Sequence, residues 1–200
     1  KLSGDLHQIL LQPGEPTLEV VDTLTRDLNR FAPDAIVAIG GGSTLDAAKA
    51  SSVLMNQPGR TDALGFLEGI GDGLAITQLG IPLIAIPTTA GTGAEATINS
   101  VIASRRHRVK KSLRHPYILP NQVIIDPKLQ VTCGQTTTLH SGLDAITQCF
   151  ESFLSCRATE YTRLLALEGL GIGWHAINKV LANPRDITAR TSMAYCAYLS

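Results

Sequence analysis

Three consecutive glycines, Gly40, Gly41 and Gly42, end an apolar run, and Ser43 follows them into an apparent helix in "AIGGGSTLDAAKA" (38–50). Glycine loses more conformational freedom on folding than any other residue. Such a run therefore implies either an unusually tight turn or a group that comes close to the backbone. A strand, a glycine-rich turn and a helix start together suit an anion, because first-turn N–H groups lack intrahelical partners and the helix dipole favours negative charge. Two readings stand, a pyrophosphate cradle and a ligand-free tight turn. Three glycines after a buried strand favour the cradle. The spacing is neither G-x-G-x-x-G nor that of a P-loop.

A second stretch, "IPTTAGTGAEAT" (86–97), also leaves an apolar run. Thr88, Thr89 and Thr92 offer hydroxyls there, and Gly91 and Gly93 offer open backbone. Alone it reads equally well as a plain turn. Beside the first loop, at the carboxyl end of a neighbouring strand, it would complete the crevice where open α/β sheets bind ligands. A third stretch, "SGLDAITQCFES" (141–152), sets Asp144, Gln148 and Glu151 on one helix face at i, i+4 and i+7. A solvated polar face is the plainer reading, and a row of ligands turned toward a cleft is the other.

The elements that must position these residues follow from periodicity. "HQILLQ" (7–12) reads as a strand. Leu18, Val21, Leu24, Leu28 and Phe31 recur at helical spacing after Pro16. "DAIVAIG" (34–40) reads as a strand buried on both faces, "IPLIAIP" (81–87) as another, and "NQVIIDP" (121–127) as a third. Ser43 has N-cap chemistry, and Asp46 three residues later can close a capping box. Ala47, Ala48, Ala50 and Ser51 make a helix small enough to lie close on a sheet. Strands separated by helices predict a doubly wound parallel α/β domain over residues 1–132. From 133 to 200 only helices are expected. Leu143, Ile146, Phe150 and Phe153 form one apolar face, and Leu164, Leu167, Leu170, Trp174, Ile177 and Leu181 another. The last segment ends inside a helical pattern without a stop signal, so the chain is expected to continue at both ends.

Composition narrows the class. The 200 residues are 44% hydrophobic and 17% charged, which suits a packed core rather than disorder. Lys plus Arg and Asp plus Glu both number 17, and this balance argues against a nucleic-acid or membrane-surface partner. No apolar stretch approaches the ~20 residues that span a bilayer, and the opening residues do not read as a signal peptide. Cys133, Cys149, Cys156 and Cys196 form no CxxC pair. Their spacing suggests neither a disulfide framework nor a zinc knuckle, so a reducing, cytoplasmic setting is expected.

Four stretches, "GGGSTLDAAKA", "IPLIAIPTTAGTGAEAT", "KKSLRHPYILPNQVIIDP" and "SGLDAITQCFES", resemble in order and spacing the iron-containing (group III) alcohol dehydrogenases, relatives of glycerol dehydrogenase and dehydroquinate synthase. The likeness spans nearly the whole chain. It implies an N-terminal α/β domain that binds NAD or NADP, and a helical domain that shares a metal site with it. The implied reaction is metal-assisted interconversion of a small-molecule alcohol with an aldehyde or ketone, and the implied assembly is a homodimer. Two other outcomes stay open: a non-catalytic or metal-free nucleotide-binding protein, and an enzyme that uses NAD transiently, as dehydroquinate synthase does.

By position, the resemblance assigns Gly40, Gly41, Gly42 and Ser43 to the pyrophosphate and Asp46 to the nicotinamide end. Thr88, Thr89 and Thr92 take the adenine and ribose side and the phosphates. Lys110 matches a ribose-contacting lysine, with Lys111 one residue away as the alternative. A solvated basic cluster with Arg105, Arg106 and Arg108 is the plain reading of both. The family metal, Fe or Zn, is held by one Asp and three His. Asp144 falls on the first ligand and Gln148 where the first His belongs. An amide oxygen is a weak ligand for such metals, so Gln148 can ligate, orient a water, or leave the site vacant. His140 reads as a surface histidine. The remaining two His fall beyond Ser200, and the elements that separate NAD from NADP fall before Lys1. The 200-residue chain alone is accordingly expected to be inactive.

Overall fold

The computed structural model describes residues 4–59 and 62–200; Lys1–Ser3, where the expected first domain begins, lie outside the described residues. Helix α1 (Leu18–Phe31) starts where the sequence predicts, with the Thr17 hydroxyl accepting from the Val20 amide. It ends at Ala32 in a left-handed conformation, and buries Val21, Leu24 and Leu28 but leaves Phe31 exposed. "HQILLQ" is not a strand. It runs unpaired over the surface, with Leu10 80% exposed and Ile9 and Leu11 packed against the core beneath.

Strands β1 (Ile36–Gly40), β2 (Leu83–Pro87) and β5 (Gln122–Val123) form a parallel sheet in the order β1-β2-β5. Helix α2 (Gly42–Leu54) follows β1 directly. Its buried run from Ala47 to Leu54 packs between the sheet, α1 and a hairpin. The expectation that β1 is buried on both faces fails. Ala38 is buried toward α2, while Val37 and Ile39, which point the other way, are 50% and 58% exposed.

The hairpin pairs β3 (Asn99–Ser104) with β4 (Val109–Arg114), antiparallel, and sequence periodicity does not predict it. The inward positions of β3 are Ser100, Ile102 and Ser104, so two of the three buried residues on that strand are polar and its apolar alternation is hidden. The hairpin turn uses Arg108 at φ +53° rather than a glycine or asparagine signal.

Past a short 3-10 turn at Pro127–Gln130, three helices complete the chain: α3 (Gln135–Leu154), α4 (Glu160–Ala182) and α5 (Ile187–Leu199). They pack through small residues. A Cβ on Gly169 would lie 2.6 Å from Cys149 Sγ, and one on Gly173 2.5 Å from Cys196 Sγ. The buried stripe is therefore Gly142, Ala145, Ile146 and Cys149 on α3, and Ala166, Gly169, Gly173, Ala176, Ile177 and Val180 on α4. Much of the large apolar set expected inside faces out: Leu143, Phe150, Leu164, Leu167 and Trp174 are exposed. Close helix packing selects small side chains, and periodicity alone does not say which of two apolar faces is inward. All four cysteines are free thiols, and no helix among the described residues is long and apolar enough to cross a membrane.

Candidate functional site

Gly40 and Pro87 are register partners at the carboxyl ends of β1 and β2, so the two glycine-rich loops leave the sheet side by side. The Thr88 amide donates to the Gly40 carbonyl at 2.9 Å. A Cβ on Gly41 would sit 3.4 Å from the Thr89 side chain, and one on Gly42 would sit 2.5 Å from Thr92 Oγ1. The structure thus brings Gly40, Gly41, Gly42, Thr88, Thr89 and Thr92 together as two walls of one cradle.

The floor of the cradle is a helix start, two residues earlier than expected. Gly41 is the N-cap of α2, and its carbonyl accepts from the Thr44 and Leu45 amides. Ser43 lies inside the first turn and does not cap, and the capping box with Asp46 does not form. Glycine caps with its backbone alone. The amides of the first turn then point outward without side-chain partners on their own helix, which is the arrangement that holds an anion.

Asp46 instead faces inward. Its carboxylate lies 3.9 Å from Lys49 Nζ and hydrogen-bonds to the Val101 backbone, and its carbonyl accepts from Ser100 Oγ at 2.8 Å. Burial pushes its carboxyl up to about 6, with Lys49 pulling the other way and Glu15 adding to the rise. Lys49, which no sequence motif singles out, is 0% exposed. It donates to the Ala94 carbonyl at 2.6 Å, the Asn99 carbonyl at 2.7 Å and Thr97 Oγ1 at 2.9 Å. Burial brings its ammonium down to about 8, against the attraction of Asp46 and Glu95. Glu95 is itself buried, and desolvation raises its carboxyl above the ordinary value. The signal available in the sequence is the i, i+3 pair of Asp46 and Lys49 within an otherwise small, apolar helix.

Lys110 lies on exposed β4, opposite Ala103, with Nζ 2.7 Å from Glu15 Oε1. Glu15 precedes Pro16, whose carbonyl accepts from the Ala103 amide at 2.8 Å. Glu15 thus links Lys110 by contact to Asp46 by charge. Lys111, on the opposite face of the strand, points toward Gly69. Arg105, Arg106 and Arg108 are exposed at the hairpin tip.

The second loop also meets the helices. Gly91 abuts Ser141 on α3, where a Cβ would lie 2.6 Å from the serine Cβ, and Gly93, at φ +58°, rests against the Ala197 carbonyl of α5. Ser141, Asp144 and Gln148 share one face of α3, so the residues matched to metal ligands lie on the side that the loop touches. Asp144 is exposed, and Gln148 Oε1 accepts from Ser200 Oγ at 3.2 Å. His140 is exposed. Among the described residues no three His, Cys, Asp or Glu side chains converge to hold a metal ion.

A parallel sheet with glycine-threonine loops clasped at its carboxyl end, continued by packed helices, defines a mixed α/β protein with a helical C-terminal part. The chain belongs to the iron-containing alcohol dehydrogenase family. Residues 6–127 match the family model described as iron-containing alcohol dehydrogenase, and residues 138–200 match the C-terminal model of the Fe-containing alcohol dehydrogenase family. It is 33% identical over 186 residues to a sulfoacetaldehyde reductase of Bilophila wadsworthia, a match that covers 93% of this chain and 46% of that protein. It is 34% identical over 167 residues to an NAD-dependent methanol dehydrogenase of Bacillus methanolicus, covering 84% of this chain and 42% of the other. The crystal structure of sulfoacetaldehyde reductase from Bifidobacterium kashiwanohense in complex with NAD+ superposes with a TM-score of 0.87 at 27% identity, covering 94% of this chain and 48% of that one. The chain thus spans about half the length of the curated relatives it matches.

Proposed function

We propose that this chain forms the cofactor-binding part of an NAD(P)-dependent oxidoreductase that interconverts a small-molecule alcohol and its aldehyde or ketone. Residues 1–132 are assigned to the cofactor domain and residues 133–200 to the start of the helical domain that closes the substrate cleft. The observation that carries this reading is the clasp of Gly41 and Gly42 against Thr89 and Thr92 at the carboxyl ends of two adjacent parallel strands. That is where open α/β sheets take phosphate-bearing ligands. Support also comes from relatives that are NAD-dependent by name or were solved with NAD+.

When bound, the nicotinamide supplies hydride acceptance and donation. This chain's residues bind and orient it. First-turn amides of α2 hold the pyrophosphate, and the hydroxyls of Thr88, Thr89 and Thr92 line the opposite wall. By their matched positions, Asp46 would lie toward the nicotinamide end and Lys110 would contact the ribose. The homodimer and the cytoplasmic setting expected from the sequence remain part of this reading; sedimentation of the purified protein checks the first and fractionation of the source cells the second. The functional test is a spectrophotometric assay of NADH or NADPH oxidation by the intact protein against a panel of short aldehydes and ketones. Oxidation dependent on a carbonyl substrate supports the reading. Cofactor binding without turnover on any substrate would favour the non-catalytic alternative.

A further inference from the structure

The three ammonium protons of Lys49 meet three acceptors, and all three acceptors lie on one short segment. The carbonyls of Ala94 and Asn99 accept at 2.6 and 2.7 Å and Thr97 Oγ1 at 2.9 Å. That segment has little regular structure of its own. It consists of one 3-10 turn, Ala94–Ala96, between Gly93 in the left-handed region and extended Thr97. The Thr97 hydroxyl lies within 3.5 Å of both carbonyls, Ala94 at 3.3 Å and Asn99 at 3.4 Å, so Lys49 and Thr97 together satisfy groups that would otherwise be buried without partners. Lys49 projects from α2, the helix whose first residue, Gly42, backs onto Thr92. Thr92 is two residues from Ala94. One helix thus touches both ends of the 92–99 stretch, by close packing at its start and by a buried cation at its middle.

A buried ammonium carries a desolvation cost that an apolar side chain of the same length avoids. Core packing alone gives no reason for a charge here. Its hydrogen bonds do give one, because they hold an otherwise loosely determined backbone in a single register. The charged neighbours are Asp46 on the same helix and Glu95 on the held segment, and both attract the ammonium.

We infer that Lys49 is a positioning residue for the cofactor cradle, fixing the 94–99 segment on α2 so that the Thr88–Thr92 wall keeps its distance from the glycine turn. This rests on the cofactor reading above for its consequence in binding, but not for its structural content.

The test uses the intact protein and two readouts, the NADH dissociation constant by fluorescence titration and amide hydrogen exchange resolved by segment. Lys49→Met keeps the volume and removes the charge. The expected result is exchange in 88–99 that rises about tenfold while α1 is unchanged, with NADH bound about tenfold more weakly, the size that losing one or two charge-assisted hydrogen bonds gives. Unchanged affinity, or exchange that rises equally in α1, would overturn the inference, the second because it would mean a general loss of stability. Should Lys49→Met not fold, Thr97→Val carries the test, since it removes one acceptor and leaves the backbone in place. A selective rise of exchange in 88–99 with weaker NADH binding supports the inference, and wild-type values in both readouts overturn it. If the wild-type protein itself binds neither NADH nor NADPH, the cofactor reading fails, while the exchange comparison still decides whether Lys49 fixes the segment.

Discussion

The Thr88 amide donates to the Gly40 carbonyl at 2.9 Å. The last residue of one parallel strand is thereby tied to the first residue of the loop that leaves its neighbour. The bond joins the two loops where they leave the sheet, beside the packing of Gly41 against Thr89 and Gly42 against Thr92. Two of the three glycines face threonines across the gap, Gly41 facing Thr89 and Gly42 facing Thr92, while Gly40 leaves room for Thr44 on α2.

Asp46 makes stability depend on pH in a defined direction. Burial raises its carboxyl from 3.8 to about 6, so the folded state binds that proton more tightly than the unfolded state does. The resulting stabilisation is complete below about pH 4 and is lost as pH rises through about 6. Relative to Asp46→Asn, the wild type should lose stability across this window, by at most about 3 kcal/mol, since each tenfold difference in proton affinity is worth about 1.4 kcal/mol. The window ends below the range in which Lys49 titrates, so the two groups separate. Urea denaturation of both proteins from about pH 4 to 7 measures the difference, and a difference that does not vary with pH would contradict it.

Lys110 and Lys111 occupy successive positions on β4 and so face opposite ways. Only Lys110 shares the side of Glu15, whose charge reaches Asp46. Lys110→Ala is expected to weaken NADH binding about threefold to tenfold, as the loss of an exposed charge-assisted contact does, with little change in melting temperature because the Glu15 pair is exposed. Lys111→Ala should leave binding unchanged. The reverse result would move the ribose contact by one residue.

Gln148 stands one helical turn after Asp144, where its amide oxygen accepts from the Ser200 hydroxyl. Gln148→His would place an imidazole on the face that carries Asp144, and metal affinity should rise by at least about tenfold, by analogy with the loss caused by removing a supporting group. Elemental analysis of both intact proteins after dialysis against a mild chelator checks this. Near-stoichiometric metal in the wild type would show that Gln148 suffices as a ligand, and equally low metal in both would show that the residue is not what limits binding.

The glycine and threonine loops are legible in the sequence because strand, loop and helix start each leave an independent mark, in an apolar run, in glycine and in small-residue periodicity. Helix α1 is legible for a similar reason: Thr17 caps it, and its apolar residues are large and evenly spaced. The β3–β4 hairpin is not, since Ser100 and Ser104 fill buried positions and Arg108 turns the chain without a glycine. "HQILLQ" misleads because an apolar run marks burial as readily as pairing, and here Ile9 and Leu11 pack against the core without joining a sheet. In α3 and α4 the buried face mixes glycine, alanine and cysteine with Ile146, Ile177 and Val180, while Leu143, Phe150, Leu164, Leu167 and Trp174 face out. Close packing selects the face that carries the small residues, which a period of 3.6 cannot reveal. Lys49 escapes notice because a lone lysine in a helix is ordinarily solvated, and its partners, the carbonyls of Ala94 and Asn99, are backbone groups that leave no trace in the sequence.

Whether the two clasped loops hold a dinucleotide is decided at Gly41. Its φ of −76° and ψ of −179° are open to any residue, and a Cβ would meet nothing closer than Thr89 at 3.4 Å. The fold itself therefore does not require glycine there, whereas Gly42, with Thr92 Oγ1 at 2.5 Å from a Cβ, is needed for the clasp. Calorimetric titration of NADH into the intact wild-type protein and Gly41→Ala separates ligand approach from folding. A dinucleotide cradle requires binding by the wild type, a loss of at least about tenfold in Gly41→Ala (about 1.4 kcal/mol), and melting temperatures within about 2 °C of each other. Equal affinity in the two proteins would contradict it.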